Sequence, residues 1–172
     1  MKQKSIHLIT TGGTIDSHYD GTKDTAVTNK ESVIPEYIKS LKLFDKVIYT
    51  PVCMKDSRAL SNTDRLKMIN AINKSSLKSI LITHGTYTMP DTARFISKRL
   101  VNGGNKVIII TGSMIPLVGF SPSDAGFNLG FAIGKFDSLE PGIYVAMNGQ
   151  IFNPDEVIKL LNEGRFSSIL NK

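Results

Sequence analysis

The chain has 172 residues, a formal net charge of +6 at pH 7 and one cysteine. Its length suits a single domain over residues 1–172 with one sizeable core, and its composition is that of an ordinary globular protein. A lone cysteine, Cys53, excludes an internal disulfide and favours a reducing compartment, so we expect a cytoplasmic protein in which Cys53 is a buried small hydrophobe.

Two classes of partner are disfavoured by the distribution of charged and apolar residues. A positive net charge is typical of proteins that bind nucleic acid. Here, however, the lysines are spread over predicted helices and loops, and they form no basic run with aromatic residues between them. No apolar run is long enough for a secretory signal or a membrane span. We therefore expect neither nucleic acid nor a membrane as a partner.

Apolar runs alternate with helical spacings along the chain. Strands are predicted at residues 6–11, 47–53, 79–83, 106–111 and 142–147, and helices at 33–41, 61–73, 89–100 and 123–136. Between the first strand and the first helix, the polar stretch 15–30 is predicted to be a long loop. After the fifth strand, Asn148-Gly149 predicts a hairpin turn into a short strand at 150–152, and Asn153-Pro154 predicts a short last helix through residue 161.

This alternation predicts an α/β fold. We expect a three-layer, Rossmann/flavodoxin-like domain with a mainly parallel sheet of four or five strands and helices on both faces. Gly126, Gly130 and Gly134 recur every four residues on the fourth helix. Such a bare ridge predicts close packing against the sheet or against a second subunit.

Four predicted strands end in turns that carry a hydroxyl group. These turns are Gly12-Gly13-Thr14, Asp56-Ser57, Gly85-Thr86 and Gly112-Ser113. Ser, Thr, Asp and Gly favour turns in any protein, so a single such turn indicates little. Four of them at one edge of a parallel sheet, where α/β proteins bind ligands, predict a site built from several loops.

The residue types at these turns narrow the chemistry. A phosphate-binding GxxxxGK pattern and zinc-ligand spacings are both missing, and His84 is interpreted as structural. What remains is a threonine nucleophile that attacks a carbonyl while backbone amides hold the oxyanion. Because a free hydroxyl is a weak nucleophile, it needs a proton acceptor, and Tyr19 and Lys135 are the candidates.

The motifs at these turns resemble those of the bacterial L-asparaginase family. They follow the family order over almost the whole chain, at 10–15 (TTGGTI), 56–57 (DS), 82–89 (ITHGTYTM), 111–114 (TGSM), 123–129 (SDAGFNL) and 146–148 (AMN). The resemblance implies hydrolysis of L-asparagine to L-aspartate and ammonia through an acyl-threonine, without a metal or an organic cofactor.

The resemblance also implies residue roles. Thr14 takes the place of the nucleophile, Tyr19 that of the loop tyrosine assisting it, and Thr86 that of the second catalytic threonine. Ser57 falls where the family binds the substrate's α-carboxylate. The candidate catalytic residues are Thr14, Tyr19, Thr86 and Lys135, and the candidate substrate-binding residues are Gly13, Asp56, Ser57, Arg58, Gly85 and Tyr87.

The chain departs from the family pattern in three places. Tyr87 replaces an aspartate that contacts the substrate's α-amino group and forms a Thr-Asp-Lys relay. The relay lysine has no exact match. Leu139 lies near its place, and Lys135 is assigned to the role because it lies one helical turn earlier. The chain ends where the family's smaller C-terminal domain begins, which predicts a short, single-domain type that forms a homodimer or a higher homo-oligomer.

Two alternatives remain open from the sequence. Tyr87 favours a relative that binds an amino acid or a similar small ligand without useful turnover. A nucleotide-binding α/β module is the other alternative, which the absence of the GxxxxGK pattern and of GxGxxG spacing at Gly12-Gly13-Thr14 disfavours.

Overall fold

A computed structural model describes residues 3–100 and 104–170 of the chain. Six strands form the main sheet in the order β4-β1-β5-β6-β7-β8. They are β1 (Ser5–Gly12), β4 (Lys46–Lys55), β5 (Ser79–Thr83), β6 (Val107–Thr111), β7 (Gly142–Met147) and β8 (Gln150–Phe152). The first five in this order pair in parallel, and β8 pairs back antiparallel on β7 through the predicted turn at Asn148-Gly149.

Helices cover both faces of this sheet. They are α1 (Ile34–Ser40), α2 (Asn62–Lys74), α3 (Met89–Ser97) and α4 (Ala125–Lys135). Because side chains alternate along a strand, Ile80 and Ile82 join one core with α2 and α3, while Leu81 joins the other with α1 and α4. The predicted three-layer α/β fold is therefore confirmed, with five parallel strands and the predicted short strand β8 paired back on β7.

The strand order places a crevice beside β1. The chain passes from β1 to β4 on one side and then to β5 on the other side, so the connections diverge at the carboxyl end of β1. In open α/β sheets such a point is where ligands bind. The turns after β1, β4 and β5 are the ones that carry Thr14, Ser57 and Thr86.

Two segments differ from the sequence prediction. Within the predicted loop 15–30, β2 (Ser17–Asp20) and β3 (Thr25–Thr28) form an antiparallel hairpin. The predicted last helix at 153–161 is wrong, because β9 (Val157–Leu160) pairs there with β10 (Arg165–Ser168). Val157 and Phe166 of this second hairpin pack into the core on the α2–α3 side.

The glycine ridge on α4 packs only at its first position. A Cβ added at Gly126 would lie 2.7 Å from Tyr37 Oη, whereas Gly130 and Gly134 face open space. The prediction that the whole ridge packs against the sheet is therefore wrong, and packing against a second subunit stays a prediction. Cys53 is partly buried near the Thr11 carbonyl, and burial raises the pKa of its thiol to about 11. In residues 3–100 and 104–170, no helix is both long and apolar enough to cross a membrane.

Candidate active site

The strand-end turns touch one another through their glycines. A Cβ added at Gly13 would lie 2.3 Å from both Gly85 Cα and Gly85 N, and one added at Gly85 would lie 2.7 Å from Ser57 Cβ. A Cβ at Gly112 would lie 2.3 Å from the His84 carbonyl oxygen. Glycine is thus required wherever these turns meet, and the predicted site residues Gly13, Gly85 and Ser57 are brought together.

The turn after β1 has a backbone that other residues rarely adopt. Gly12 has φ +86°, and Gly13 has φ 84° with ψ −176°, a region that is essentially restricted to glycine. The β1–β4 register shifts at this point, so that Gly12 pairs with Lys55, and the Gly13 N–H donates to the Lys55 carbonyl at 2.8 Å. This geometry ties the turn after β1 to the turn after β4.

Thr14 begins a single turn of 3-10 helix, Thr14–Asp16, and is half-buried. Asp16 anchors that turn, because its carboxylate accepts hydrogen bonds from the Ser32 hydroxyl at 2.6 Å and the Val33 N–H at 2.8 Å. Asp16 is fully buried, and burial raises the pKa of its carboxyl. Thr14 is thus held on a fixed support beside the Gly13–Gly85 contact.

The turn after β4 presents a hydroxyl beside an ion pair. The Ser57 hydroxyl accepts from the Thr88 N–H at 3.3 Å, and the Thr88 hydroxyl donates to the Ser57 carbonyl at 2.8 Å. Arg58 donates to both oxygens of Asp56, through Nε at 3.1 Å and Nη2 at 2.8 Å. These hydrogen bonds lower the pKa of the Asp56 carboxyl.

A lysine contacts the threonine of the turn after β5. Lys159 Nζ donates to Thr86 Oγ1 at 2.7 Å, and burial lowers the pKa of Lys159. Lys159 comes from β9, the segment predicted as a helix, and the sequence reasoning missed it. A lysine between Ile158 and Leu160 in an otherwise apolar run was the available signal.

The rest of the fold holds the Lys159 hairpin in place. Asn148, which follows β7, accepts from the Phe166 N–H at 2.9 Å. Arg94 of α3 donates to the carbonyls of Pro154 and Val157, both at 3.3 Å. Lys159 therefore reaches Thr86 from a hairpin that is bonded to both β7 and α3.

Lys135, the lysine assigned from the sequence, does not join this cluster. It ends α4, which begins after the carboxyl end of β6 and runs back along the sheet for 11 residues. A helix of that length spans roughly 16 Å, so its last residue lies toward the opposite edge from Thr14. The Lys135 ammonium lies over the Phe131 ring, 5.2 Å from its centroid.

Tyr19 shares a cavity with Thr14. The cavity has a volume of about 540 Å³ and lies between the β2–β3 hairpin and the loop 114–122. Tyr19 is 54% exposed, and its hydroxyl donates to Asp24 Oδ1, which raises the pKa of the phenol. The structure therefore brings Tyr19 to the same opening as Thr14, with its hydroxyl directed to the hairpin.

Tyr87 and His84 complete the turn after β5. Tyr87 is 54% exposed, and the Arg58 guanidinium lies 5.6 Å from the centroid of its ring. His84 is fully buried, its Nδ1 donates to the Gly85 carbonyl at 2.7 Å, and burial lowers its pKa to about 4. His84 is therefore neutral at pH 7.

The part of the chain that the structure describes holds no group of three or more His, Cys, Asp or Glu side chains able to bind a metal ion.

Comparison with known proteins identifies relatives of this chain. The chain is 30% identical over 171 residues to a glutaminase-asparaginase of Acinetobacter glutaminasificans, covering 93% of this chain and 51% of that protein. It is 29% identical over 167 residues to L-asparaginase 2 of Bacillus subtilis, covering 90% of this chain and 44% of that protein. The chain spans about half the length of these curated relatives.

The fold comparison agrees with the sequence comparison. The thermostable L-asparaginase from Thermococcus kodakarensis superposes with a TM-score of 0.81 at 26% identity, over 98% of this chain and 52% of that chain. The family model described as "Asparaginase, N-terminal" matches residues 5–168 of the chain. The chain therefore belongs to the asparaginase family and corresponds to its N-terminal domain.

Proposed function

We propose that this domain carries the nucleophile of an amidohydrolase that releases ammonia from the side-chain amide of L-asparagine or a close analogue. The observation that carries the proposal is the 2.7 Å contact between Lys159 Nζ and Thr86 Oγ1 beside the Gly13–Gly85 junction. It supplies a proton acceptor next to a threonine-bearing turn, which a weak hydroxyl nucleophile requires.

The proposed first step is attack by Thr14 Oγ on the amide carbon. The Thr14 proton passes through the Thr86 hydroxyl to the neutral amine of Lys159, whose lowered pKa favours that form. The C–N bond breaks, and the nitrogen leaves as ammonia with the proton returned from Lys159. We assign backbone N–H groups of the two glycine turns to the developing oxyanion, other than that of Gly13, which is bonded to the Lys55 carbonyl.

The second step is hydrolysis of the Thr14 ester. Water adds to the acyl carbon and gives its proton to Lys159 through Thr86. The bond between the acyl carbon and Thr14 Oγ then breaks as Lys159 returns this proton to Thr14 Oγ, which releases the acid and restores the hydroxyl. We assign Tyr19 to assist Thr14, because both line one cavity, and Ser57 with Arg58 to the substrate's carboxylate.

The test is ammonia release from L-asparagine by the wild type, Thr14→Ala and Thr86→Ala, with Thr63→Ala on the exposed face of α2 as a matched control. We expect turnover in the wild type and in Thr63→Ala, and its loss in the other two variants. Absence of turnover from asparagine and from its close analogues, together with a thermal shift on adding the product acid, would favour the alternative of a ligand-binding relative.

Three further statements stay predictions. Organisation as one domain over 1–172, assembly as a homodimer or higher homo-oligomer, and a cytoplasmic location rest on the sequence and the family resemblance. Sedimentation of the purified chain measures its oligomeric state directly.

A further inference from the structure

The tyrosine of the β2–β3 hairpin has its hydrogen-bond direction fixed by a neighbouring carboxylate. Tyr19 Oη donates to Asp24 Oδ1 at 2.5 Å. A phenol carries a single hydrogen, so only the lone pairs of Tyr19 Oη remain for a further partner. Donation to a charged acceptor is roughly twice as strong as donation to a neutral one, which favours this direction. Tyr19 therefore meets a ligand as an acceptor and not as a donor.

The turn that carries Asp24 is closed by other groups. The Asp20 carboxylate accepts from the Thr22 N–H at 3.0 Å and from the Thr22 hydroxyl at 2.6 Å, and the Lys23 N–H donates to the Asp20 carbonyl at 3.1 Å. Asp24 has φ +50°, a conformation that aspartate adopts more readily than most residues. The turn thus presents the Asp24 carboxylate to Tyr19 without needing that carboxylate for its own closure.

The cavity that Tyr19 shares with Thr14 suits small uncharged molecules. Its walls are mainly apolar, with Met114, Ile115 and Phe120 on the loop opposite the hairpin, and none of its lining residues in the described part of the chain carries a charge. Ammonia and water are both uncharged and both donate hydrogen bonds. Since ester hydrolysis is the reverse of ester formation with water in place of ammonia, the entering water takes the place of the departing ammonia.

We propose that Asp24 is a positioning residue that holds Tyr19 as an acceptor, first for an N–H of the departing amide nitrogen and then for an O–H of the entering water. This inference rests on the proposed amidohydrolase function. No proton moves to Tyr19, because the nitrogen takes its third hydrogen from Lys159 through Thr86 and the water loses its proton by the same route. Asp24 therefore promotes cleavage of amides and not of esters, whose leaving oxygen has no hydrogen for Tyr19 to accept.

The first measurement compares kcat/KM for L-asparagine and for the β-methyl ester of L-aspartate in the wild type and in Asp24→Gly. The two compounds differ only in the leaving group, and glycine tolerates the φ of +50°. We expect Asp24→Gly to lower kcat/KM for L-asparagine at least about tenfold and to change that for the ester by less than about twofold. An equal fall for both compounds would assign Asp24 a structural role and overturn the inference.

Two further variants separate positioning from flexibility of the turn. Lys23→Gly adds the same flexibility beside Asp24 and should leave the ratio of the two kcat/KM values unchanged. In a Tyr19→Phe background, Asp24→Gly should cause no further fall for L-asparagine, because Asp24 acts only through the Tyr19 hydroxyl. A further fall in that background would contradict the inference.

Titration of the Tyr19 phenol tests the contact without turnover. The hydrogen bond to Asp24 raises the pKa of Tyr19, so Asp24→Gly should lower that pKa. NMR of isotope-labelled tyrosine rings measures the pKa, and Tyr19→Phe identifies the signal. The charged neighbours Asp20 and Lys23 stay in place in this variant, and the loop 114–122 has no charged residue. An unchanged pKa would overturn the inference.

The kinetic outcomes also distinguish failure of this inference from failure of the proposed function. If the wild type hydrolyses L-asparagine but Asp24→Gly slows the amide and the ester alike, the amidohydrolase stands and only the role of Asp24 fails. If the wild type hydrolyses neither compound, the proposed function fails and the role of Asp24 fails with it.

Discussion

Lys159 Nζ lies 2.7 Å from Thr86 Oγ1, and 73 positions of the chain separate the two residues. Lys159 stands on a two-stranded hairpin, whereas Thr86 follows a central strand of the sheet. The contact brings a lysine of lowered pKa to the edge of the sheet where Thr14 also lies. In the proposed mechanism, this pair accepts and returns the proton of the nucleophile.

Replacing Lys159 by Met should remove most of the activity. Methionine keeps the apolar stem but offers no proton acceptor to Thr86, so we expect kcat/KM to fall at least about 100-fold, the usual contribution of general acid–base catalysis. Lys39→Met, on the exposed face of α1, is the matched control and should retain wild-type kcat/KM.

The pH profile separates a chemical role of Lys159 from a structural one. Burial lowers the pKa of Lys159 from 10.5, so the fraction of neutral amine rises with pH through a midpoint below 10.5. Wild-type kcat/KM should therefore rise over that range, and the residual activity of Lys159→Met should lack this rise. The same rise in both proteins would show that Lys159 is not the proton acceptor.

Gly13→Ala should destabilise the fold as well as abolish activity. Its backbone conformation, φ 84° and ψ −176°, is unfavourable for alanine, and the added Cβ would lie 2.3 Å from Gly85. Strain and overpacking of this kind lower the free energy of unfolding by about 2–5 kcal/mol in total. Urea denaturation followed by circular dichroism measures the change.

Gly119→Ala isolates the part of that effect that comes from the clash. Gly119 has φ +83°, but a Cβ there would meet nothing within 4 Å. We expect a loss of only about 1–2 kcal/mol from the backbone conformation. A Gly13→Ala variant as stable as Gly119→Ala would mean that the two turns are not in contact.

The sheet and three turns of the candidate site were predictable because their signals are local. Short β-branched runs such as Val107–Thr111 predict buried parallel strands, and Asn148-Gly149 predicts the hairpin into β8. Ser61 caps α2 and Asp64 completes a capping box, which is also a signal within a few residues of sequence. The motifs around Thr14, Ser57 and Thr86 lie at the ends of such strands. Predicting these strands as parallel therefore also predicted that the three motifs lie at one edge of the sheet.

The two hairpins and the lysine were not predictable, for two different reasons. The β2–β3 hairpin is largely solvent-exposed on both strands, so it has no apolar alternation to mark it. The segment 157–161 is apolar at spacings that fit a short helix as well as a strand, and only pairing with Arg165–Ser168 decides between them. The position of Lys159 depends on that pairing and on its contact with Thr86. Both are interactions between residues that are distant in the sequence, so a local pattern does not reveal them.

Acid should destabilise the protein through Asp64. Hydrogen bonds from Lys55 and Ser61 lower the pKa of the Asp64 carboxyl from 3.8 to about 2. The unfolded chain therefore binds a proton more readily than the folded one, so this contribution is complete above about pH 4 and is lost as pH falls toward 2.

Asp64→Asn tests this assignment. The amide keeps the size of the side chain but loses the charge, and we expect the free energy of unfolding at pH 7 to fall by about 1 kcal/mol, as for loss of a helix cap. The difference from the wild type should shrink toward pH 2, and urea titrations across this range measure it. If the difference in free energy of unfolding between the two proteins does not change with pH, the shape of the Asp64 side chain, and not its charge, causes the effect.

Gly130→Ala should stabilise the protein, because the site is exposed and no atom lies within 4 Å of the added Cβ. Alanine is favoured over glycine in a helix interior by about 1 kcal/mol, and Gly134→Ala near the end of α4 should add a smaller gain. Gly126→Ala is the contrast, since its Cβ would lie 2.7 Å from Tyr37 Oη, so any gain there must overcome displacement of that ring. Thermal unfolding of the three variants measures these effects at a protein concentration where sedimentation shows a single species. A loss of stability in Gly130→Ala that grows with protein concentration would instead indicate that a second subunit packs on this ridge.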